Sequence, residues 1–480
     1  MRYISTRDES EDPVKFSFLD AVLMGMAPDG GLLVPEFIPV VTASEWNTWR
    51  LQDYQMLCQS VLRKFICESE IGDLDLQRMI AAAYSKTFSG ATVAPLTRVG
   101  NVWVLELFHG PTFAFKDVAL QLLGQLFDFA LAARKTRMTI LGATSGDTGS
   151  AAIAGVKGRP NIDCVILFPL GKTSKIQELQ MTANLDANIH CLGVKDSVFD
   201  DCQSIVKACF ADKQFSAEMN LGAVNSINWA RILAQIVYYV AAAAAIEAPA
   251  FVVPTGNFGN VLAGYYAHRM QIPIGRLVIA SNQNDILPRF FQTGEYRLSA
   301  KVTPTMSPSM DIAVSSNFER FLFDLVSRSG AQVASKFQAL KTEGAFAVTP
   351  SQLETAREIF AAFAVSEPDC LDTIKSVFRS HNYLLCPHSA VGYAAAQKWI
   401  GSSTYQGEPV VTLATAHIGK FTEQIFHSLG PADRAFKAAV EESVPAALSR
   451  LESAATRRSD VANTVDSVKQ YLRSHVRRQV

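Results

Sequence analysis

Phe108-His109-Gly110-Pro111-Thr112-Phe113-Ala114-Phe115-Lys116-Asp117 runs on into Val118-Ala119-Leu120-Gln121-Leu122-Leu123-Gly124, with a lysine where a turn passes into an apolar run. A strand-forming run at Val102, Trp103, Val104 and Leu105 precedes it. The turn His109-Gly110-Pro111 breaks that strand. Asp117 then opens an apolar periodicity that predicts a helix over 117–134. Lys116 therefore stands at a strand-to-helix junction, flanked by Phe113 and Phe115. An amine with apolar neighbours near the positive end of a helix loses its proton more readily, and the neutral amine is the form that attacks a carbonyl. Taken singly, Lys116 reads as a surface lysine at a helix start.

A second stretch changes that balance. Residues 250–253 read as a short buried strand, followed by Pro254-Thr255-Gly256-Asn257-Phe258-Gly259-Asn260 and a helical pattern through Tyr265 and Tyr266. A glycine-rich turn between strand and helix aims several backbone N–H groups and the helix dipole at one point, which suits a phosphate. The dinucleotide spacing G-x-G-x-x-G is absent. A lysine able to take up an aldehyde and a cup for phosphate are the two requirements of pyridoxal 5′-phosphate.

Around these motifs the pattern alternates. Strands are expected over 102–107, 138–141, 164–168, 189–194, 251–253 and 277–280, with helices over 117–134, 150–156, 174–183, 198–210, 229–246 and 261–268. Such alternation predicts a parallel α/β sheet covered on both faces, with ligand loops at the carboxyl ends of its strands. Residues 1–90 read as a mostly helical lead-in, and 91–430 as two intertwined α/β domains. A helical insertion near 300–380 holds a loop at 307–310 and helices at 318–326 and 353–363. The strand rhythm resumes at 383–386 and 409–414. Residues 431–480 read as a charged helical tail with a solvated face (Arg450, Arg457, Arg458, Arg473, Arg477 and Arg478).

Composition narrows the class. At 480 residues, 49% hydrophobic and 19% charged, the chain has material for more than one core. A net charge of −1 gives no global attraction to nucleic acid or to a membrane. Eight cysteines are scattered without a C-x-x-C, which argues for a reducing, cytoplasmic setting and against a zinc site. The apolar run 236–246 is short of the roughly 20 residues a bilayer span takes. The N-terminus lacks the apolar core of a signal peptide.

Four blocks together carry a resemblance: the lysine block 109–117, Ala143-Thr144-Ser145-Gly146-Asp147-Thr148-Gly149, Asn225-Ser226-Ile227-Asn228-Trp229-Ala230-Arg231, and Gly256-Asn257-Phe258-Gly259-Asn260. With Ala27-Pro28-Asp29-Gly30-Gly31-Leu32 and Thr415-Ala416-His417 they resemble the threonine synthases, in the longer branch of fungal and many bacterial enzymes. The resemblance implies the tryptophan-synthase-β-like (fold type II) pyridoxal-phosphate architecture. It implies conversion of O-phospho-L-homoserine and water to L-threonine and phosphate, by γ-elimination and β-addition. The nearest alternative is a threonine-synthase-like phospho-lyase that releases a 2-oxo acid, ammonia and phosphate. No nucleic acid, membrane or metal partner is implied, and a monomer or weak homodimer is expected.

Roles follow residue by residue. Lys116 is the expected cofactor-bearing and proton-moving amine, and Gly256, Asn257, Phe258, Gly259 and Asn260 the expected phosphate cup. Thr415 matches the family position facing the pyridine nitrogen. The strand-to-helix turn with Ser145, Asp147 and Thr148 suits an α-carboxylate, with helix capping an equal alternative for Asp147. Asn225, Ser226, Asn228 and Arg231, with help from Lys172, are candidates for a substrate phosphate, because Arg231 can fork two N–H groups onto it. His109, His388, His417 and Cys386 read as hydrogen-bonding or packed residues, not catalytic ones.

Overall fold

Ala250–Pro254, Leu277–Ser281 and Val410–Ala414 are buried along their whole length, the mark of a parallel sheet covered on both faces. The computed structural model describes residues 1–90, 92–144, 146–429 and 433–477. In it these strands form the middle of a six-stranded sheet, ordered Phe360–Ala364, Leu277–Ser281, Ala250–Pro254, Val410–Ala414, Val102–Glu106 and Leu96–Val99. The last pair is antiparallel and the others are parallel. A second sheet of five parallel strands runs Ser459–Val461, Ile189–Val194, Ile162–Pro169, Met138–Ala143 and Leu221–Gly222.

Helices fasten the two sheets together. The helix Lys116–Arg134, leaving the large sheet, crosses the helix Asp147–Val156 of the small one. At the crossing, a methyl group on Gly124 would run into the carbonyl of Gly155, and one on Gly155 into that of Leu120. Only glycine permits this approach, between the first half of one helix and the last turn of the other. The helix Trp229–Ala245 is buried nearly all round, as its continuous apolar run requires. Among the described residues no helix is long and apolar enough to cross a membrane.

The N-terminal part lies against this body. Its strands Tyr3–Ser5 and Leu33–Pro35 pair antiparallel beside helices that include Phe18–Met24, Tyr54–Arg63 and Asp73–Tyr84. The Tyr3 hydroxyl donates to the Phe65 carbonyl at 2.8 Å and accepts from Trp229 Nε1 at 3.2 Å. Buried Arg320 donates to the carbonyls of Leu33 and Ile227. Arg7 forks onto Glu319.

Three expectations are corrected. The helix expected over 353–363 is a helix Pro350–Ile359 followed by a strand Phe360–Ala364, which pairs in parallel with Leu277–Ser281. The 300–380 segment therefore adds an edge strand to the main sheet; pairing with a neighbour overrides the weak local helix signal of Phe-Ala-Ala-Phe-Ala. The strand expected at 383–386 is an irregular connector. Cys386 caps, and Pro387 starts, the helix Pro387–Ile400, and the apolar Leu385 and Cys386 are simply buried. The C-terminal tail is not only solvated helix. Ser459–Val461 pairs with Ile189–Val194, and Val465–His475 packs on Phe199–Ala211 with Lys469 bound to Asp212 at 2.6 Å. Its arginines include Arg458, held by Glu178 and Asp460, and Arg477, held by Asp163. The 307–310 loop contains a short 3₁₀ turn, Pro308–Met310.

Candidate active site

Loops at the carboxyl ends of both sheets close around a cavity of about 280 Å³. Lys116 reaches it because residues 113–115 pair antiparallel with 415–417. Phe115 N–H donates to the Thr415 carbonyl at 2.8 Å, and His417 N–H to the Phe113 carbonyl at 3.0 Å. That pairing sets Lys116, first residue of its helix, beside Thr415, and both line the cavity. Asp117 braces the loop from behind, accepting from the Thr112 N–H and hydroxyl at 2.8 and 2.7 Å. Burial pushes its carboxyl up to about 6 against those hydrogen bonds.

Gly256 to Asn260 line the same cavity. Phe258 takes the left-handed conformation (φ 61°) that ends the turn and starts the helix Gly259–Arg269. Its ring drops into an aromatic cluster with Phe318, Phe321 and Phe360, which anchors the turn from below. A Cβ on Gly256 would stand 2.5 Å from the Ser309 carbonyl, so this cradle is closed by backbone on its far side. Asn260 Oδ1 accepts from the hydroxyls of Tyr238 and Tyr239 at 2.7 and 2.8 Å, which turns its Nδ2 away from them. That buried Nδ2 has no partner among the described residues, nor do Nε and Nη1 of buried Arg231. Donors left unpaired in a dry site cost free energy until an acceptor arrives, and a guanidinium asks for an anion. Burial lowers the Arg231 guanidinium to about 10.

Electrostatics centre on Asp147. Its carboxylate is buried, with Lys420 Nζ at 2.8 Å, Lys116 Nζ at 3.7 Å and Gln177 Nε2 donating at 3.0 Å. Burial alone would raise its pKa, but Lys420 and Lys116 outweigh that and hold it well below the usual carboxylate range. Lys116 is lowered by burial, partly countered by Asp147 and reinforced by Lys420 and Arg231. His388 accepts the Ser309 N–H at 3.2 Å through Nε2, and burial pushes it down to about 4.

Most of the residues singled out from sequence meet here: Lys116, Thr415, Asp147, Thr148, Asn225, Ser226, Arg231 and the cup 256–260. Asn228 does not line the cavity. It caps the helix Trp229–Ala245 through Ala230 N–H and spends its amide on the Val22 carbonyl at 2.7 Å, tying in the N-terminal part. Lys172 lies in an exposed turn after Ile162–Pro169 and is likewise outside the cavity. Ser145 lies outside the described residues. Helix capping for Asp147 is corrected: the cap is Gly146, without a side-chain bond, and the carboxylate faces the amines. Lys420 was not singled out at all, though its place between Gly419 and Phe421, five residues past Thr415, has the same apolar setting as Lys116. His388, set aside on sequence, lines the cavity, as does Ser309 from the 300–380 segment. Among the described residues no group of three or more His, Cys, Asp or Glu side chains is placed to hold a metal ion.

A buried lysine beside a glycine-rich turn with unpartnered donors, at the carboxyl ends of two α/β sheets, marks a fold-type-II pyridoxal-phosphate enzyme. The family model "Pyridoxal-phosphate dependent enzyme" matches residues 90–416, flanked by "Threonine synthase N terminus" over 2–84 and "Threonine synthase, C-terminal" over 389–472. Threonine synthase of Pseudomonas aeruginosa is 48% identical over 88% of this chain and 90% of its own. A crystal structure of pyridoxal-phosphate-bound threonine synthase from Brucella melitensis is similar with a TM-score of 0.92 and 44% identity, over 99% of this chain and all of that one. A human protein called threonine synthase-like 1 is 36% identical over 89% of this chain and 60% of its own. The chain belongs to the threonine synthase family.

Proposed function

We propose that this chain converts O-phospho-L-homoserine and water to L-threonine and phosphate, with Lys116 as its catalytic lysine. Bound pyridoxal 5′-phosphate supplies an aldehyde that takes up an amine and a ring that draws electrons from the bonds at Cα. Gly256, Asn257, Gly259 and Asn260 offer donors for the cofactor phosphate, and Phe258 holds their turn in place. The neutral Thr415 hydroxyl is assigned to the ring nitrogen. Lys116, shielded from solvent, takes the proton from Cα and returns one later. Arg231, with Asn225 and Ser226, receives the substrate phosphate; the Thr148 hydroxyl is assigned to the α-carboxylate. Overall, phosphate leaves Cγ, Cγ gains a proton, and one Cβ hydrogen is replaced by hydroxyl from water.

The observation that carries this reading is the burial of Lys116 in one cavity with the unpartnered donors of Arg231 and Asn260. Purified protein given O-phospho-L-homoserine should release L-threonine and phosphate in equal amounts. Lys116→Ala should lose on the order of 10⁴-fold in rate. A 2-oxo acid with ammonia as the product would instead select the phospho-lyase. The chain is further read as cytoplasmic, supported by eight unpaired cysteines, seven of them buried, and as a monomer or weak homodimer. Sedimentation at micromolar concentration checks the assembly state.

A further inference from the structure

Asp147 shows its two oxygens to two different amines. Oδ1 stands 2.8 Å from Lys420 Nζ, within hydrogen-bond range, and Oδ2 stands 3.7 Å from Lys116 Nζ, beyond it. Lys420 is wholly shielded from solvent and also donates to the Thr112 carbonyl at 2.7 Å. Gln177 donates to the same Oδ1, so the carboxylate is held from one side and cannot swing toward Lys116. Lys420 does not line the cavity. It bears on Lys116 by its own charge and by its hold on Asp147.

The arrangement has a consequence for Lys116. Four titratable groups act on its amine through their charge: Asp147 from the helix Asp147–Val156, Lys420 from the turn Ile418–Lys420, Arg231 from the helix Trp229–Ala245, and His388 from the helix Pro387–Ile400. Its neighbour Asp117 is turned back onto Thr112. Asp147 is thus the one acidic side chain of the four, and an unopposed carboxylate in a dry site would keep a proton fixed on the amine. A lysine that both removes and returns protons needs a proton affinity between the extremes.

We propose that Lys420 is a positioning residue for Lys116: by occupying one oxygen of Asp147 it offsets that carboxylate and leaves the Lys116 amine free to give up its proton. The inference rests on Lys116 being the cofactor-bearing lysine. It assigns a role to a second buried lysine that touches neither substrate nor cofactor.

The test titrates the visible colour of the holoenzyme against pH, because that colour follows the proton on Lys116 Nζ. Lys420→Met removes a cation and uncovers Asp147, so the midpoint should rise by about one pH unit. Lys420→Arg should return it to the wild-type value. Asp147→Asn removes the anion and should move the midpoint down, and the double variant should lie between the two single ones. A midpoint in Lys420→Met equal to or below wild type overturns the proposal. Should Lys420→Met fail to fold, an unmoved midpoint in Asp147→Asn overturns it instead. Absence of colour in the wild-type holoprotein sinks the cofactor reading itself; colour with unmoved midpoints sinks this inference alone.

Discussion

Two turns in this molecule share one grammar and do opposite things. The turns around Gly146 and Gly256 each follow the carboxyl end of a parallel strand, carry two glycines and open a helix. In the first, the Thr144 hydroxyl accepts from the N–H groups of both Gly146 and Gly149 at 3.0 Å, so these donors are already spent. What that turn sends into the cavity is a carboxylate, Asp147, which meets amines. In the second, Phe258 is pinned in an aromatic cluster and Asn260 is turned by two tyrosines, so the turn sends donors into the cavity. A strand–glycine–helix pattern therefore marks where a site lies, while the sign of its electrostatics depends on which donors the local side chains have consumed.

The contrast can be broken by substitution. The largest effect on substrate binding is expected at Arg231, whose helix packs against the one that the second turn opens. Arg231→Met should raise KM for the phosphorylated substrate roughly 100-fold, as loss of a charged hydrogen-bonding partner does. Retention of the cofactor should change far less, which dialysis followed by absorbance would show. Gly256→Ala should give the reverse split. Its methyl group would press on the Ser309 carbonyl, so cofactor affinity should fall roughly 30-fold, in line with about 2 kcal/mol of overpacking.

These two expectations divide what could be read from sequence from what could not. The cup and Lys116 were legible because backbone geometry does the work there: glycines, a turn and a helix start announce themselves locally. Lys420 was not, because its role comes from a contact with Asp147, distant in sequence, and no local pattern encodes a partner that distant. Asn228 misled for a related reason. Three-residue spacing from Arg231 puts both on one face of a helix, but Asn228 stands before the first turn, where its side chain caps the helix and holds Val22. The edge strand Phe360–Ala364 was misread because its conformation comes from the neighbouring strand. The parallel α/β core and its ligand edge, by contrast, followed from the alternation of buried strands and amphipathic helices.

Smaller effects sharpen the comparison further. Thr144→Val keeps the shape of the first turn but removes the acceptor for two N–H groups. It should cost about 1.5 kcal/mol in urea denaturation, whereas the second turn is tied from outside, by the Ser315 hydroxyl on the Gly256 carbonyl and the Asn317 amide on the Asn257 carbonyl. Asn228→Ala should cost about 1 kcal/mol as a lost helix cap and leave KM for the phosphorylated substrate unmoved. A raised KM in that variant would return Asn228 to the substrate's surroundings.

Lys116 is assigned the cofactor, and Lys420, a second buried amine one carboxylate away, is not. Borohydride reduction of the holoenzyme, followed by proteolysis and mass spectrometry, tests it directly. The pyridoxyl group is expected on the peptide that carries Lys116, with none on the peptide that carries Lys420. A pyridoxyl group on Lys420, or on no lysine of the cavity, would contradict it.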